Sequence, residues 1–447
     1  MKVVKTYIAP LFFTDRFFGS LAILSVLFVL SFFFESLVLI PFVALLVLVI
    51  TCIIDYWLLF GKINPLIANR SVAERLSNGD ENDISISVYN TYAVPVYLEI
   101  IDEIPFQFQK RNVSFKIFLK PGEHKSIKYQ LRPVKRGVYN FGNINIIAST
   151  GFGLLRKKFV LGIPLDVPVY PSYLQMRKYQ ILAISNRLSE IGVKKIRKFG
   201  HSMEFEQIKE YVLGDDYRTL NWNATARRGV LMVNNYSDEK SQQIYCVIDK
   251  GRVMKMPFEG LSLLDYAINT SLVLSNIALL KQDKAGIISF SDKIGSVLKA
   301  DRKTLQMQWI QEILYNQKTR YLESDFEKLY SLVKTKITQR SLLILFTNFE
   351  SVSGMRRQLP YLRQLASLHL LVVVFFENTE ITSLLREPAE NIQQVYTKVV
   401  AEKFVHEKKQ IVKELQQNGI LSILSAPHNL TASTLNKYLE IKARGVL

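Results

Sequence analysis

Cysteine is nearly absent, with only Cys52 and Cys246 in 447 residues. Cys52 lies in an apolar span and Cys246 in a predicted buried strand. The pair supports neither a disulfide framework nor a cysteine-based zinc site. Such usage suits a reducing, cytoplasmic compartment. Histidine is scarce too, five in all, and no Ser, Cys or His constellation completes a hydrolase. No Gly-x-x-x-x-Gly-Lys loop occurs, so the chain is not expected to hydrolyse ATP itself. The basic clusters lack interleaved aromatics, which argues against a nucleic-acid platform. Internal repeats and low-complexity segments are missing.

Apolar residues and positive charge are plentiful. Hydrophobic residues make up 49% of the chain, and 57 Lys plus Arg against 39 Asp plus Glu give a net charge of +18. The length allows two or three domains. A basic balance points to anionic lipid, an acidic partner or nucleic acid, and an apolar N-terminal region favours lipid.

Phe17 to Phe34 contains no charge, and neither does Ser36 to Ile54, with Glu35 between them and Pro41 inside the second run. As one helix the stretch would be about 57 Å long at ~1.5 Å per residue, well beyond a ~30 Å hydrocarbon core. Two helical spans joined by a turn near Glu35 fit better, since backbone groups in lipid must pair internally. No small-residue cleavage site separates the runs, which argues against a cleaved leader. Lys2, Lys5 and Arg16 precede the spans, and Lys62 and Arg70 follow them. The positive-inside rule then places both ends in the cytoplasm. Tyr56 and Trp57 stand where an interfacial aromatic belt would lie.

Beyond the spans the pattern changes twice. Between residues 70 and 173, short alternating runs such as Ile84-Ser85-Ile86-Ser87-Val88 are separated by turns such as Asn78-Gly79-Asp80 and Pro121-Gly122-Glu123. This predicts an antiparallel β-sandwich. From residue 241 to 447, apolar strands alternate with amphipathic helices: Ile244 to Ile248, Gly286 to Phe290, Leu342 to Phe346, Leu370 to Phe375 and Ile420 to Leu424. Such alternation predicts a doubly wound α/β domain with a parallel sheet covered on both faces. Ligands in such sheets bind beyond the carboxyl strand ends, which marks Asp249, Ser291-Asp292 and Thr347-Asn348. The expected organisation is residues 1–16 as a cytoplasmic N-terminus, 17–56 as a transmembrane hairpin, 70–173 as a β module, 174–240 as a signature segment, and 241–447 as the α/β domain.

The signature segment carries Gly200, Glu204, Phe205, Lys209-Glu210-Tyr211, Gly214-Asp215-Asp216, Arg218, Asn221-Trp222 and Arg227-Arg228-Gly229. This spacing resembles the bacterial family of proteins of unknown function called DUF58, with Lys209 and Asn221 where members usually carry Arg and Asp. Members often have a Glu where Asn234-Asn235 stands. The resemblance implies a cytoplasm-facing membrane protein with a von Willebrand factor A-like domain. It also implies an adaptor or assembly role beside MoxR-type AAA+ ATPases, without catalysis of its own. An A domain of that kind holds Mg²⁺ through an Asp-x-Ser-x-Ser turn plus a Thr and a second Asp. Here the turn reads Asp249-Lys250-Gly251-Arg252-Val253, with both serines replaced and two cations added, so a metal site would be degenerate. A metal-dependent ligand-binding A domain is the alternative function.

The acids Glu204, Glu206, Asp215 and Asp216 could serve catalysis. The Gly-Asp-Asp triplet, however, equally makes a turn and helix start. The more economical reading has Glu210 and Asp216 pairing with Arg218, Arg227 or Arg228 above a packed Trp222 and Tyr211, a structural or partner-docking block. The clusters Arg156-Lys157-Lys158 and Lys194-Lys195-Ile196-Arg197-Lys198 are candidates for anionic headgroups.

Overall fold

The structure is a computed structural model, and it describes residues 10–34, 37–62, 64–110, 113–184, 203–213, 215–238, 241–386, 388 and 391–445. Side chains are described for these except at 203–206, 235–238, 382 and 386. The chain forms two compact units, Met1–Tyr170 and Pro171–Leu447.

The first unit begins with strand β1 (Leu11–Phe13), helices α1 (Asp15–Phe33) and α2 (Leu39–Phe60), and strands β2 (Leu66–Ser71), β3 (Leu76–Ser77), β4 (Asn82–Asn90) and β5 (Val96–Asp102). It continues with β6 (Ser114–Leu119), β7 (His124–Leu131), β8 (Gly137–Phe141), β9 (Ile144–Ser149), β10 (Leu155–Leu161) and β11 (Leu165–Tyr170). Helices α1 and α2 are long and apolar enough to cross a membrane, and only 6% and 11% of their apolar windows are covered by protein. Such bare apolar surface needs lipid around it.

The strands form a five-stranded sheet in the order β1-β10-β9-β5-β6 and two three-stranded sheets, β2-β4-β7 and β3-β11-β8. Period-2 alternation in β4 and β5 turns Ile86, Val88, Leu98 and Ile100 into one core shared by the first two sheets, with Ile144 and Ile146 of β9 opposite. Leu76, Ile84, Tyr139, Phe141 and Val169 fill a second core. Two details depart from expectation. Strand β1 extends the sheet from within the expected N-terminal tail, pairing Leu11 to Phe13 with Lys157 to Leu155 of β10. And β11 runs parallel to β3 over Val169↔Leu76 and Tyr170↔Ser77, a pairing open to strands joined by a long connection.

Helix α2 is fastened to this module by Asp55, which sequence reading passed over. Its buried carboxylate accepts the hydroxyl of Thr150 and the backbone N–H groups of Leu154 at 3.0 Å and Leu155 at 2.9 Å. Thr14, the N-cap of α1, donates to Gly153 O at 2.6 Å. The 150–155 loop thus holds both helices. Lys157 is diverted from the expected headgroup role: its Nζ bonds Leu59 O at 3.1 Å and lies 4.3 Å from the Phe60 ring centre.

The second unit comprises α3 (Tyr173–Ile184), β12 (Met203–Glu210), α4 (Trp222–Arg228), β13 (Met232–Asp238), β14 (Gln243–Asp249), β15 (Pro257–Phe258), β16 (Leu261–Ser262), α5 (Leu263–Leu280), β17 (Lys284–Phe290) and β18 (Ile294–Asp301). Then follow α6 (Gln306–Tyr315), α7 (Phe326–Lys336), β19 (Leu342–Phe346), α8 (Val352–Leu368), β20 (Leu370–Phe376), α9 (Thr379–Arg386), α10 (Ile392–Gln417), β21 (Leu421–Ser425) and α11 (Leu430–Arg444). The main sheet runs β18-β17-β14-β19-β20-β21. All its pairs are parallel except the edge pair β17–β18, an antiparallel strand that the apolar-run reading did not foresee. Alternate residues of β14 enter opposite cores: Ile244, Cys246 and Ile248 pack with α5 and α11, and Tyr245 and Val247 with α7, α8 and α10. Helix α5 is also apolar enough to span a membrane, but 83% of its window is buried; it is a core helix. Helix α3 packs on this body through Tyr179 and Met176, so part of the expected signature segment belongs to the α/β domain.

Candidate functional site

The order of the parallel strands reverses between β14 and β19: β14 leads by α5 to β17 on one side, and β19 to β21 grow on the other. Such a switch point is where doubly wound sheets open a crevice. Asp249 ends β14 there, and Thr347 and Asn348 follow β19.

Asp249 is 1% exposed. Its carboxylate accepts the Gly251 N–H at 2.7 Å, the Thr347 hydroxyl at 2.7 Å and the Ser324 hydroxyl. Burial pushes its pKa up, against the opposing pull of Ser324, Thr347 and Gly251. Ser324 lies in the loop before α7, next to Asp325, its N-cap. A Cβ added at Gly251 would fall 2.2 Å from Ser324 Oγ. The Ser324 hydroxyl, 75 residues on from Asp249, therefore takes the space that a side chain at position 251 would fill. The surroundings are cationic. Burial, and next Arg320, hold the Lys250 pKa below its usual value, while Arg320 pairs with Asp292 at 3.2 Å. The crevice, about 140 Å³, is also lined by Arg252, Glu350 and Arg357. Among the described residues, no three His, Cys, Asp or Glu side chains converge as metal ligands. Glu323 and Glu350 also line the crevice, but they do not converge with Asp249, whose own carboxylate is raised in pKa and engaged by three donors; a divalent cation wants several converging ionised oxygens. Asp249 instead ties three loops together.

The signature residues form a separate arm. Strands β12 and β13 pair antiparallel, with a bulge between Phe205 and Gln207. Lys209 Nζ meets Asp215 at 2.8 Å, and Asp215 also accepts the Val212 N–H at 3.0 Å; both hold its pKa down, the lysine more strongly. Asp216 caps the next turn through the Arg218 N–H at 3.0 Å. Asn221 caps α4 through the Ala224 N–H at 3.0 Å, and its amide donates to Asn234 Oδ1 at 2.8 Å. Two departures from the family pattern thus pair with one another. Gly229 ends α4 at φ 72°, a left-handed cap that favours glycine.

The expected ion network is not formed. Among the described residues, neither Glu210 nor Asp216 makes an ion pair with Arg218, Arg227 or Arg228, because Asp216 is engaged as a backbone cap and the arginines point outward. Nor does Trp222 pack beneath: it is 68% exposed, Tyr217 68% and Leu213 96%, while Tyr211 is half-buried. Exposed Val212, Val230 and Leu231 join them. Gly200, Gly214, His201 and the 194–198 basic cluster lie outside the described residues, as do the side chains of Glu204, Phe205 and Glu206. The apolar tip was missed because aromatic and aliphatic residues between charges read as core.

Comparison with known proteins places this region. The CARDB domain of a Pyrococcus furiosus protein, 15% identical, covers 23% of this chain and 91% of its own at a TM-score of 0.18. Native α-2-macroglobulin of Escherichia coli, 16% identical, covers 24% of this chain and 7% of its own at 0.21. At these scores neither likeness carries an argument. The uncharacterised protein YeaD of Bacillus subtilis (strain 168) is 25% identical over 184 residues, which are 39% of this chain and 45% of that protein. The match thus spans less than half the length of this relative. Residues 207–381, from the arm through the Asp249 crevice to α9, match the family described as protein of unknown function DUF58.

Proposed function

We propose that this protein is a membrane-anchored, non-catalytic adaptor that docks a MoxR-type AAA+ ATPase and acts with it on a membrane-associated client. One observation carries the reading. The arm matched to the DUF58 family presents a wholly exposed Leu213, with Tyr217, Trp222 and three outward arginines, on a frame fixed by its own caps. Protein interfaces are built around Trp, Tyr and Arg anchors of this kind. Helices α1 and α2 supply the anchor. The basic flanks orient both ends to the cytoplasm; Arg70 contributes little to that bias, since it is paired with buried Asp102. The parallel sheet with Asp249 and Thr347 at its switch point supports a von Willebrand A-like reading of the second unit, and the paired sheets of the first unit support a sandwich. The test is a crosslinked pull-down of the full chain from native membranes with mass spectrometry of partners. An AAA+ ATPase should be recovered and lost on Arg227→Ala/Arg228→Ala. Recovery of no ATPase would refute the adaptor.

The second reading, a metal-dependent A domain, is favoured by the convergence of the Ser324 and Thr347 hydroxyls on Asp249. It requires a saturable heat with Mg²⁺ or Mn²⁺ that disappears in Asp249→Ala. The cationic turn and buried carboxylate lead us to expect none at millimolar metal.

A further inference from the structure

A second cavity opens at the same carboxyl edge, beyond β19, β20 and β21. Its volume is about 250 Å³, just under the ~300–1,000 Å³ of sites for drug-sized ligands. Met256, Phe258, Phe376, Ile381, Phe404 and Leu424 make its apolar wall. Phe376 and Phe258 are buried, at 3% and 9% exposure. Phe404 and Leu424 lie beyond the segment matched to the DUF58 family.

Lys408 and Lys409 both line the cavity, and it is Lys408 that bonds to the strand-end residues. Lys408 Nζ, on α10, donates to Asn348 Oδ1 and to Phe349 O, each at 2.6 Å. An ammonium has three N–H donors, and among the described residues the third has no acceptor. Among the described residues no carboxylate stands within ion-pair distance; Glu350 acts on Lys408 only from farther away. The lysine takes the Asn348 oxygen, so the amide N–H₂ of that residue, itself 6% exposed, is left as a further donor without a partner among the described residues. Lys408 is half-buried, and a charge drawn partly out of water without a counter-ion carries a desolvation cost. A guest that brings an acceptor anion and an apolar body would satisfy both the ammonium and the wall.

We propose that this cavity binds a small monocarboxylate with an apolar body, its carboxylate on Lys408 Nζ and the Asn348 amide and its tail among Phe258, Phe376, Ile381 and Leu424. A cationic guest with its head at Asn348 would face the Lys408 ammonium. A dianionic phosphate would meet Glu350, Glu377 and Glu380, which also line the cavity. The remaining charged group along the wall is Lys409. Burial brings the Lys408 pKa down to about 8, with Glu350 opposing. The ammonium form binds the carboxylate, so affinity falls by about tenfold per pH unit once pH passes that value.

The test is calorimetric titration of octanoate into the full-length protein in zwitterionic-lipid nanodiscs, with empty nanodiscs as blank. Saturable binding is expected at pH 7. It should be at least tenfold weaker at pH 9.5, for octan-1-ol and for octylammonium. Lys408→Met removes a half-buried charge and should fold; it should lose the binding and its pH dependence. Ile381→Trp fills the cavity with Lys408 intact and should also abolish the heat. Octylammonium binding as tightly as octanoate, unchanged affinity in both variants, or no saturable heat would each overturn the proposal.

Discussion

Asp249, buried, and Lys408, half-buried, stand at the carboxyl edge of the α/β sheet with their pKa values shifted in opposite directions. Asp249 is raised by burial. The folded state therefore binds its proton more readily than the unfolded chain does, and Asp249 costs stability as pH rises through its folded pKa. Asp249→Asn should gain on the wild type over that rise, measured by urea unfolding between pH 4 and 7. Asp249→Ala should instead cost about 1–3 kcal/mol at the acid end, because it strands the Gly251 N–H and two hydroxyls, and that cost should shrink over the same rise in pH. Lys408 is lowered to about 8. Here the unfolded chain holds the proton longer, so wild-type stability should rise from about pH 8 to the ordinary lysine value near ~10.4; Lys408→Met should lack that rise. Asp249 was legible in the sequence as a candidate residue at a strand end. Ser324 was not, since its link to Asp249 crosses 75 residues. Lys408 lay unremarked among the lysines and glutamates of a long helix.

The arm is an element whose stability and surface can be separated. Its frame rests on caps: Asn221→Ala should cost about 1 kcal/mol of local stability, and Gly229→Ala a similar amount. At Gly229 the cost is conformational, for an added Cβ meets nothing within 4 Å. Trp222→Ala should leave the thermal midpoint unchanged, because the ring is 68% exposed, while still weakening partner capture. A fall in midpoint comparable to a core deletion would show that the ring is packed. Elsewhere, the strongly patterned elements were legible, among them β4, β14, β17, β19 and β20, with their clean alternation or unbroken apolar runs. Strands β1 and β18 were not. β1 is three residues long beside an apolar span, and in β18 Gly295, Ser296 and Lys299 interrupt the apolar signal.

At the scale of the whole molecule, the proposed adaptor needs α1 and α2 in a bilayer and the exposed arm against a partner. The attachment is specific. Asp55→Ala would leave the Leu154 and Leu155 N–H groups without their acceptor, at roughly 1–3 kcal/mol per buried group. Limited proteolysis in membranes should then cut the 150–155 loop, which the wild type protects. The order of spans, β module and α/β domain could be read from composition, because lipid, a half-buried sheet and a doubly covered sheet each demand a different apolar period. The function of the arm could not, since exposure is a property of the fold. The most direct measurement of the central claim is photo-crosslinking in native membranes from a benzoyl-phenylalanine placed at Leu213, with Phe106 of the β module, 85% exposed, as the control position. The account predicts that an AAA+ ATPase is captured from position 213 and not from 106. Equal capture from both, or capture of no ATPase from 213, would contradict it.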